Sequence, residues 1–268
     1  MKMLVTGAKG FVGRKIMEYY KDAIACPSLR DASEDEVKRI VEESGADVIV
    51  HTAAVSDIGT CDRYPDMSWH ANVSLPVYLA KASGKRKLIC FSSDQVYSGC
   101  GNPGPYAETI VNPANLYARQ KLEMEQRVLE INGDAVLLRA EWMYDLYEHR
   151  DNYFMRILKA ENEVYYSRRH FRGLTYVKEV AENIEKLVSV PGGVYNFGSE
   201  TRQSMYDITC AFTEYIGKKI RVIDGDPQHN LWMDTSKARS FGIEFSDVLE
   251  GLKKCADDYR DDLGRCMK

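Results

Sequence analysis

The chain has 268 residues, 44% hydrophobic and 28% charged, which is ordinary for a soluble globular protein with one large domain, or a core domain and a smaller companion. The formal net charge of -4 excludes the basic excess of a duplex nucleic-acid binder, apart from one local cluster, "SRRHFR" at 167–172. No apolar run approaches bilayer length, and the first is too short for a signal-peptide core, so a cytoplasmic protein with no membrane partner is expected. Seven cysteines with no C-x-x-C fit reduced thiols, not a disulfide framework or zinc site, and no metal-ligand cluster stands out.

The first predicted strand, "MLVT", ends in "TGAKGFVG". Between a strand and a helix, such a glycine triplet is the phosphate turn of a dinucleotide-binding fold. Gly7 permits the tight turn, Gly10 lets backbone approach phosphate, and Gly13 lets the helix pack on the strand. The helix N-terminus then turns free N–H groups toward the anion. The helix "FVGRKIMEYYKD" places Phe11, Val12, Ile16 and Tyr19 or Tyr20 inward. The second strand, "AIACPS", has no acid at its end to hold the ribose hydroxyls of NAD. Ser28 and Arg30 stand there, with Lys9 in the glycine turn, and such groups suit a 2′-phosphate. NADP(H) is therefore favoured and NAD(H) is the alternative; a longer strand reaching Asp31 would reverse the order.

A helix follows with the capping-box spacing Ser33–Glu36 and a closing Gly45. The third strand, "DVIVHTAA", is apolar without alternation, as in a sheet covered on both faces. Thr52, Ala53 and Ala54 at its end let a cofactor lie against the backbone. Asn72 begins the next helix, as a cap or as a cofactor contact. The fourth strand, "KLICFSS", ends in Ser92 and Ser93. After a Gly- and Pro-rich loop, "NLYARQKLEMEQ" reads as a helix with Tyr117 and Lys121 on one face. The strand "AVLLRAE" completes the alternation. Its end brings Arg139 and Trp142 toward the same crevice, as pocket or as buried structural residues. Beyond residue 145 the rhythm loosens. Helices are expected at "NYFMRILKA", "VKEVAENIEKLVSV", 204–216 and 246–262, with a returning strand at "GGVYNFGS".

These elements predict a Rossmann-like doubly wound parallel sheet with a smaller mixed α/β substrate-binding segment. The nucleotide-binding part is placed at 1–147 and the substrate-binding portion at 148–268, with about 173–198 returning to the sheet. Ligands bind beyond the carboxyl ends of the strands, where the hydroxyl of Ser93 and the Tyr117–Lys121 pair meet. Ketone reduction needs a proton donor, a second hydrogen bond to the carbonyl, and a positive charge that draws the donor's pKa down. Tyr117, Ser93 and Lys121 supply the three, the ammonium bringing the phenol below its ordinary value of about 10.

Here the chain resembles the extended short-chain dehydrogenase/reductase superfamily. "TGAKGFVG", "HTAAV", "ANV", "SSDQVYSG", "YAETIVNPANLYARQK", "LLRAEWMY" and "GLTYVKEVA" follow in that order. Within it the chain is most similar to the dTDP-4-dehydrorhamnose reductase branch, through "CDRYPDMSWHANV", "LRAEW", "YNFGSETRQSMYDI" and "DTSKARSFGIE". The resemblance implies a catalytic triad at Ser93, Tyr117 and Lys121, with Tyr117 as proton donor and Lys121 also on the nicotinamide ribose. It implies that Gly7, Gly10 and Gly13 form the phosphate loop and that Ala53 and Ala54 lie along the cofactor; Lys9, Phe11, Val12, Ser28, Arg30, Thr52 and Asn72 complete the expected cofactor-binding set. Substrate contacts fall on Asp94, Arg139, Trp142 and Arg172, the last as an anion-binding arginine. The implied activity is NADP(H)-dependent reduction of a keto group on a nucleotide-linked deoxysugar. "SRRHFRGLT" and "GDPQHNLWMD" depart from that branch where it touches sugar nucleotide, which leaves the sugar open. An epimerase or dehydratase that recycles its cofactor, and a non-catalytic regulatory subunit, remain as alternatives. A homodimer is the default assembly.

Overall fold

The computed structural model describes residues 1–266. Ten strands occur: β1 Met3–Thr6, β2 Ile24–Ala25, β3 Val48–His51, β4 Lys87–Ser93, β5 Val136–Ala140, β6 Trp142–Tyr144, β7 Glu163–Tyr166, β8 Leu174–Tyr176, β9 Gly193–Phe197 and β10 Arg221–Asp224. Six form one sheet in the order β2-β1-β3-β4-β5-β9, and every pairing in it is parallel. All residues of β1, β3, β4 and β5 are buried, which is why these segments are continuous apolar runs.

Helices cover both faces. On one, Phe11–Tyr19 and Val177–Asn183 bring Phe11, Ile16, Val177 and Val180 against Val5, Val50 and Phe91. On the other, Glu34–Ser44, Leu75–Ser83 and Leu116–Ile131 bring Val37, Val41, Leu79, Met124 and Val128 against Ile49, Leu88 and Leu137. The Ser33 half of the expected capping box is present: its hydroxyl accepts from Glu36 N–H, and Gly45 closes the helix at φ 58°.

Residues of the second half of the chain form a second core around Tyr144, Phe154, Tyr176 and Phe212, with Tyr144 stacked between Phe154 and Tyr176. Two small parallel pairs, β6–β8 and β7–β10, belong to it. The returning strand is β9, seated beside β5 in the main sheet.

Three expectations need correction. β2 is only two residues long, because it is an edge strand that ends before Pro27. The helix after β3 does not start near Asn72: helical turns begin at Ile58–Arg63 and Pro65–Trp69 and run through a π-helical turn, His70–Ser74, into Leu75–Ser83. The C-terminal helix is two, Val248–Asp258 and Arg260–Cys266. Among the described residues, no helix is long and apolar enough to cross a membrane.

Candidate active site

The chain reverses direction across the sheet between β1 and β3, and the crevice opens beyond their carboxyl ends. Gly7 follows β1 at φ 66°, a left-handed conformation that glycine adopts without strain. A Cβ at Gly7 would lie 2.9 Å from both Ala53 N and Thr52 Oγ1. At Gly13 it would lie 2.2 Å from Gly7 O, so the first helix sits on the turn at a distance only glycine allows. Gly10 N–H donates to Gly7 O at 2.7 Å and caps the helix. The Thr52 hydroxyl donates to Thr6 O at 2.8 Å, tying β3 to β1.

A cavity of about 440 Å³ runs along this turn, lined by Gly7, Lys9, Gly10, Ser28, Arg30, Ala53 and Ala54, with Ala71 and Leu75 opposite. Among the described residues neither Lys9 nor Arg30 has an ion-pair partner in range. Asp31 is exposed and does not line the cavity, since the short β2 ends well before it. The groups at the end of β2 are thus cationic and hydroxylic, the reverse of an acid aimed at ribose hydroxyls.

A second cavity, of about 190 Å³, lies beyond the ends of β4 and β5. Val12, Thr52, Ala54, Ser93, Asp94, Tyr117, Lys121, Trp142 and Arg172 all reach it. Asn115 caps the Tyr117 helix by accepting from Ala118 N–H at 2.8 Å. This places Tyr117 and Lys121 on the buried side, one turn apart. The Tyr117 and Ser93 side chains line the same cavity, and Ser93 Oγ donates to Asp94 Oδ1 at 3.2 Å. Arg172 Nη2 pairs with Asp94 Oδ2 at 3.0 Å, and its guanidinium lies 5.1 Å from the Trp142 ring centroid.

The electrostatics correct one expectation. Lys121 is fully buried and donates to Phe91 O at 2.8 Å, with its ammonium 5.9 Å from the Tyr117 ring centroid. Burial lowers Lys121 to about 8. Burial raises the Tyr117 phenol, and the neighbouring Ser93 hydroxyl offsets only part of this. The expected lowering of Tyr117 by Lys121 is therefore absent: removal from water outweighs a cation directed at a backbone carbonyl. The result is a phenol that holds its proton.

Two expected ligand contacts are structural. Arg139 pairs in register with Ser92, so its side chain leaves the sheet on the Ser92 side, away from the cavity. It is clamped by Glu125 at 2.7 Å, by Tyr97 Oη at 2.9 Å and by Glu108 O at 2.7 Å. Asn72 is fully buried; it accepts from Val55 N–H at 2.9 Å and donates to Val55 O at 2.9 Å and to Gln120 Oε1 at 2.8 Å. It fastens the loop after β3 to the Tyr117 helix, and Ala71 is the residue that faces the cofactor-sized cavity.

Two wall residues were not anticipated. Glu141 is 4% exposed, accepts from Thr175 Oγ1 at 2.9 Å, and lies against Gly173 and Gly198, where a Cβ on either would collide with its carboxyl group. Burial and the nearby Asp94 hold it well above the ordinary carboxylate range. Its place directly after β5, one register step past the Ser93–Ala140 pairing, was the available signal. Arg150, on the loop after β6, also reaches this cavity.

The parallel sheet, the glycine turn and the Ser93–Tyr117–Lys121 constellation define a protein of the extended short-chain dehydrogenase/reductase type. Within that class the chain belongs to the RmlD substrate binding domain family, which matches residues 1–265. It is 28% identical over 238 residues to methionine adenosyltransferase 2 subunit beta of Danio rerio, covering 80% of this chain and 73% of that one. It is 26% identical over 290 residues to dTDP-4-dehydrorhamnose reductase of Aggregatibacter actinomycetemcomitans, covering 94% and 97%. The structure superposes on dTDP-4-dehydrorhamnose reductase of Bacillus anthracis in complex with NADP at TM-score 0.83, with 22% identity over 96% of this chain and 99% of that one. It superposes on UDP-glucose 4-epimerase of Thermus thermophilus in complex with NAD at 0.78, with 22% identity over 98% and 100%. At these identities the structural likeness carries the fold.

Proposed function

We propose that the protein is an NADP(H)-dependent reductase acting on the keto group of a nucleotide-linked deoxysugar, as its relative from Aggregatibacter is named for doing with dTDP-4-dehydrorhamnose. The observation that carries this reading is the meeting of Tyr117 and Ser93, with buried Lys121 one turn on, in a cavity next to the glycine turn. The turn fits a dinucleotide diphosphate because the space where Cβ atoms would stand is filled by backbone at Gly7 and Gly13. Lys9, Ser28 and Arg30 favour NADP(H) over NAD(H).

When bound, the reduced nicotinamide supplies the hydride for the carbonyl carbon. Tyr117 donates its proton to the carbonyl oxygen as the alkoxide develops, so the product is an alcohol. Ser93 supplies the second hydrogen bond to that oxygen. Lys121 presents its ammonium to the ribose, and Arg172 meets the anionic end of the substrate. A high phenol pKa suits a group that must arrive protonated.

The test is NADPH and NADH oxidation with dTDP-4-dehydrorhamnose, wild type beside Tyr117→Phe. Turnover in the wild type and a loss of roughly 10²–10⁴-fold in the variant are expected, with NADPH binding kept. Recycling without net consumption of NADPH would move the protein to the epimerase class.

A second reading has its own support. Several curated relatives are named methionine adenosyltransferase 2 subunit beta, at 27–29% identity over as much as 90% of this chain. On that reading the protein is a regulatory subunit. It predicts full function in Tyr117→Phe and a change in methionine adenosyltransferase kinetics when the protein is added to the catalytic subunit.

A further inference from the structure

We infer that Arg150 is an anion-binding residue that receives a phosphate-type oxyanion where the glycine turn meets the Tyr117 cavity. The inference rests on the dinucleotide and nucleotide-sugar reading above and adds to it a residue and a ligand group.

Four observations support it. First, Arg150 lines the cavity that also holds Tyr117, Lys121 and Arg172. Second, its guanidinium lies 5.0 Å from the ring centroid of Phe11, the first residue of the helix that follows the glycine turn. That is the helix end which faces an anion. Third, among the described residues no carboxylate lies in ion-pair range of Arg150, whereas Arg172 in the same cavity has Asp94. Arg150 is exposed at the cavity mouth, and among the described residues its guanidinium meets only the aromatic face, so its five donors are open to a ligand.

Fourth, the segment that carries it is fastened at both ends. Asp145, fully buried, pairs with Lys15 at 2.8 Å and with Arg14 at 3.2 Å, which pins the start of the segment to the first helix. Tyr147 packs on Phe11, and Arg14 lies over the Tyr147 ring at 4.4 Å. At the other end Asn152 caps the helix Tyr153–Lys159 and donates to Arg150 O at 3.1 Å. The backbone of Arg150 is thereby set across the phosphate turn before any ligand arrives, which limits the entropy lost on binding.

The same chemistry has two sources here, the diphosphate of the cofactor and that of the nucleotide sugar. The experiment separates them. Affinities of the full-length protein for NADPH, by fluorescence titration, and for dTDP, by calorimetry, are measured for wild type, Arg150→Gln and Arg150→Lys, with melting temperatures alongside. Loss of a charge-assisted bidentate contact is expected to weaken one ligand by roughly tenfold or more in Arg150→Gln, with partial recovery in Arg150→Lys. Loss confined to NADPH assigns the contact to the cofactor; loss confined to dTDP assigns it to the substrate. Affinities within about twofold of wild type for both ligands would overturn the inference and leave the reductase reading standing. So would an Arg150→Lys protein of unchanged melting temperature that is no better than Arg150→Gln. A wild-type protein that binds neither ligand would overturn both.

Discussion

Arg172 and Asp94 form an ion pair at 3.0 Å, the side chains 13% and 5% exposed, and Ser93, which shares their cavity with Tyr117, donates to the same Asp94 carboxyl group. Burial raises the Asp94 carboxyl, and Arg172 is the main influence holding it down. The pair holds the Asp94 carboxyl group at the cavity wall and fixes Arg172 against Trp142.

Removing one partner should cost more than removing both. Arg172→Leu leaves a buried carboxylate uncompensated and is expected to destabilise the protein by about 2–4 kcal/mol in urea unfolding at pH 7. The double variant Arg172→Leu with Asp94→Asn should recover at least half of that loss. If the two effects simply add, the pair is not coupled as the geometry requires.

Gly13 is the glycine whose replacement should be least tolerated. Its Cβ would meet the carbonyl of Gly7 at 2.2 Å, and that atom is backbone, not the end of a flexible chain. Gly13→Ala must push the first helix off the phosphate turn. A loss of about 1–3 kcal/mol is expected, together with a large drop in NADPH affinity. Gly217→Ala is a useful contrast: nothing stands near its Cβ, but its φ of 68° strains any other residue, so a smaller stability loss with normal NADPH affinity should result.

His51 should make the protein acid-sensitive. It ends β3 fully buried, with Nδ1 at 2.7 Å from Thr6 Oγ1, and burial, aided by the nearby Lys121, lowers it to about 3. The native state keeps this imidazole neutral while the unfolded chain protonates it below about 6.5. The unfolded state then binds more protons, so stability rises with pH across the window from about 3 to 6.5 and is lost as pH falls through it. One such group gives a slope of up to ~1.4 kcal/mol per pH unit. His170, lowered to about 4 by burial and Arg172, acts in the same direction. Unfolding free energies at pH 5 and pH 7 for wild type and His51→Gln check this: the variant should show the smaller difference.

Local chemistry decides how far a sequence can be read, and this chain shows both sides. The parallel sheet was legible because strands buried on both faces are built on apolar runs without alternation, as "VIV" at 48–50 and "LIC" at 88–90 are. The glycine turn was legible because φ and close approach at Gly7 and Gly13 demand one residue type. Tyr117 and Lys121 share a face through helical spacing alone, which needs no tertiary information.

The tertiary structure decided what depends on neighbours distant in sequence. Arg139 looked like a pocket residue because it stands near a strand end, but the pairing of Ser92 with Arg139 turns it toward Glu125 on another helix. Asn72 became a buried fastening because Val55 and Gln120 converge on it from separate segments. The Tyr117 pKa moves opposite to the expectation from its lysine because burial is a property of the whole packed core, and spacing carries no measure of it. Glu141 and Arg150 entered the site by the same route. One is shaped by glycines 173 and 198, and the other is set by an anchor at Asp145 on the first helix. Backbone demands and periodicity are written residue by residue, whereas dielectric environment and side-chain partners exist only once the chain has closed on itself.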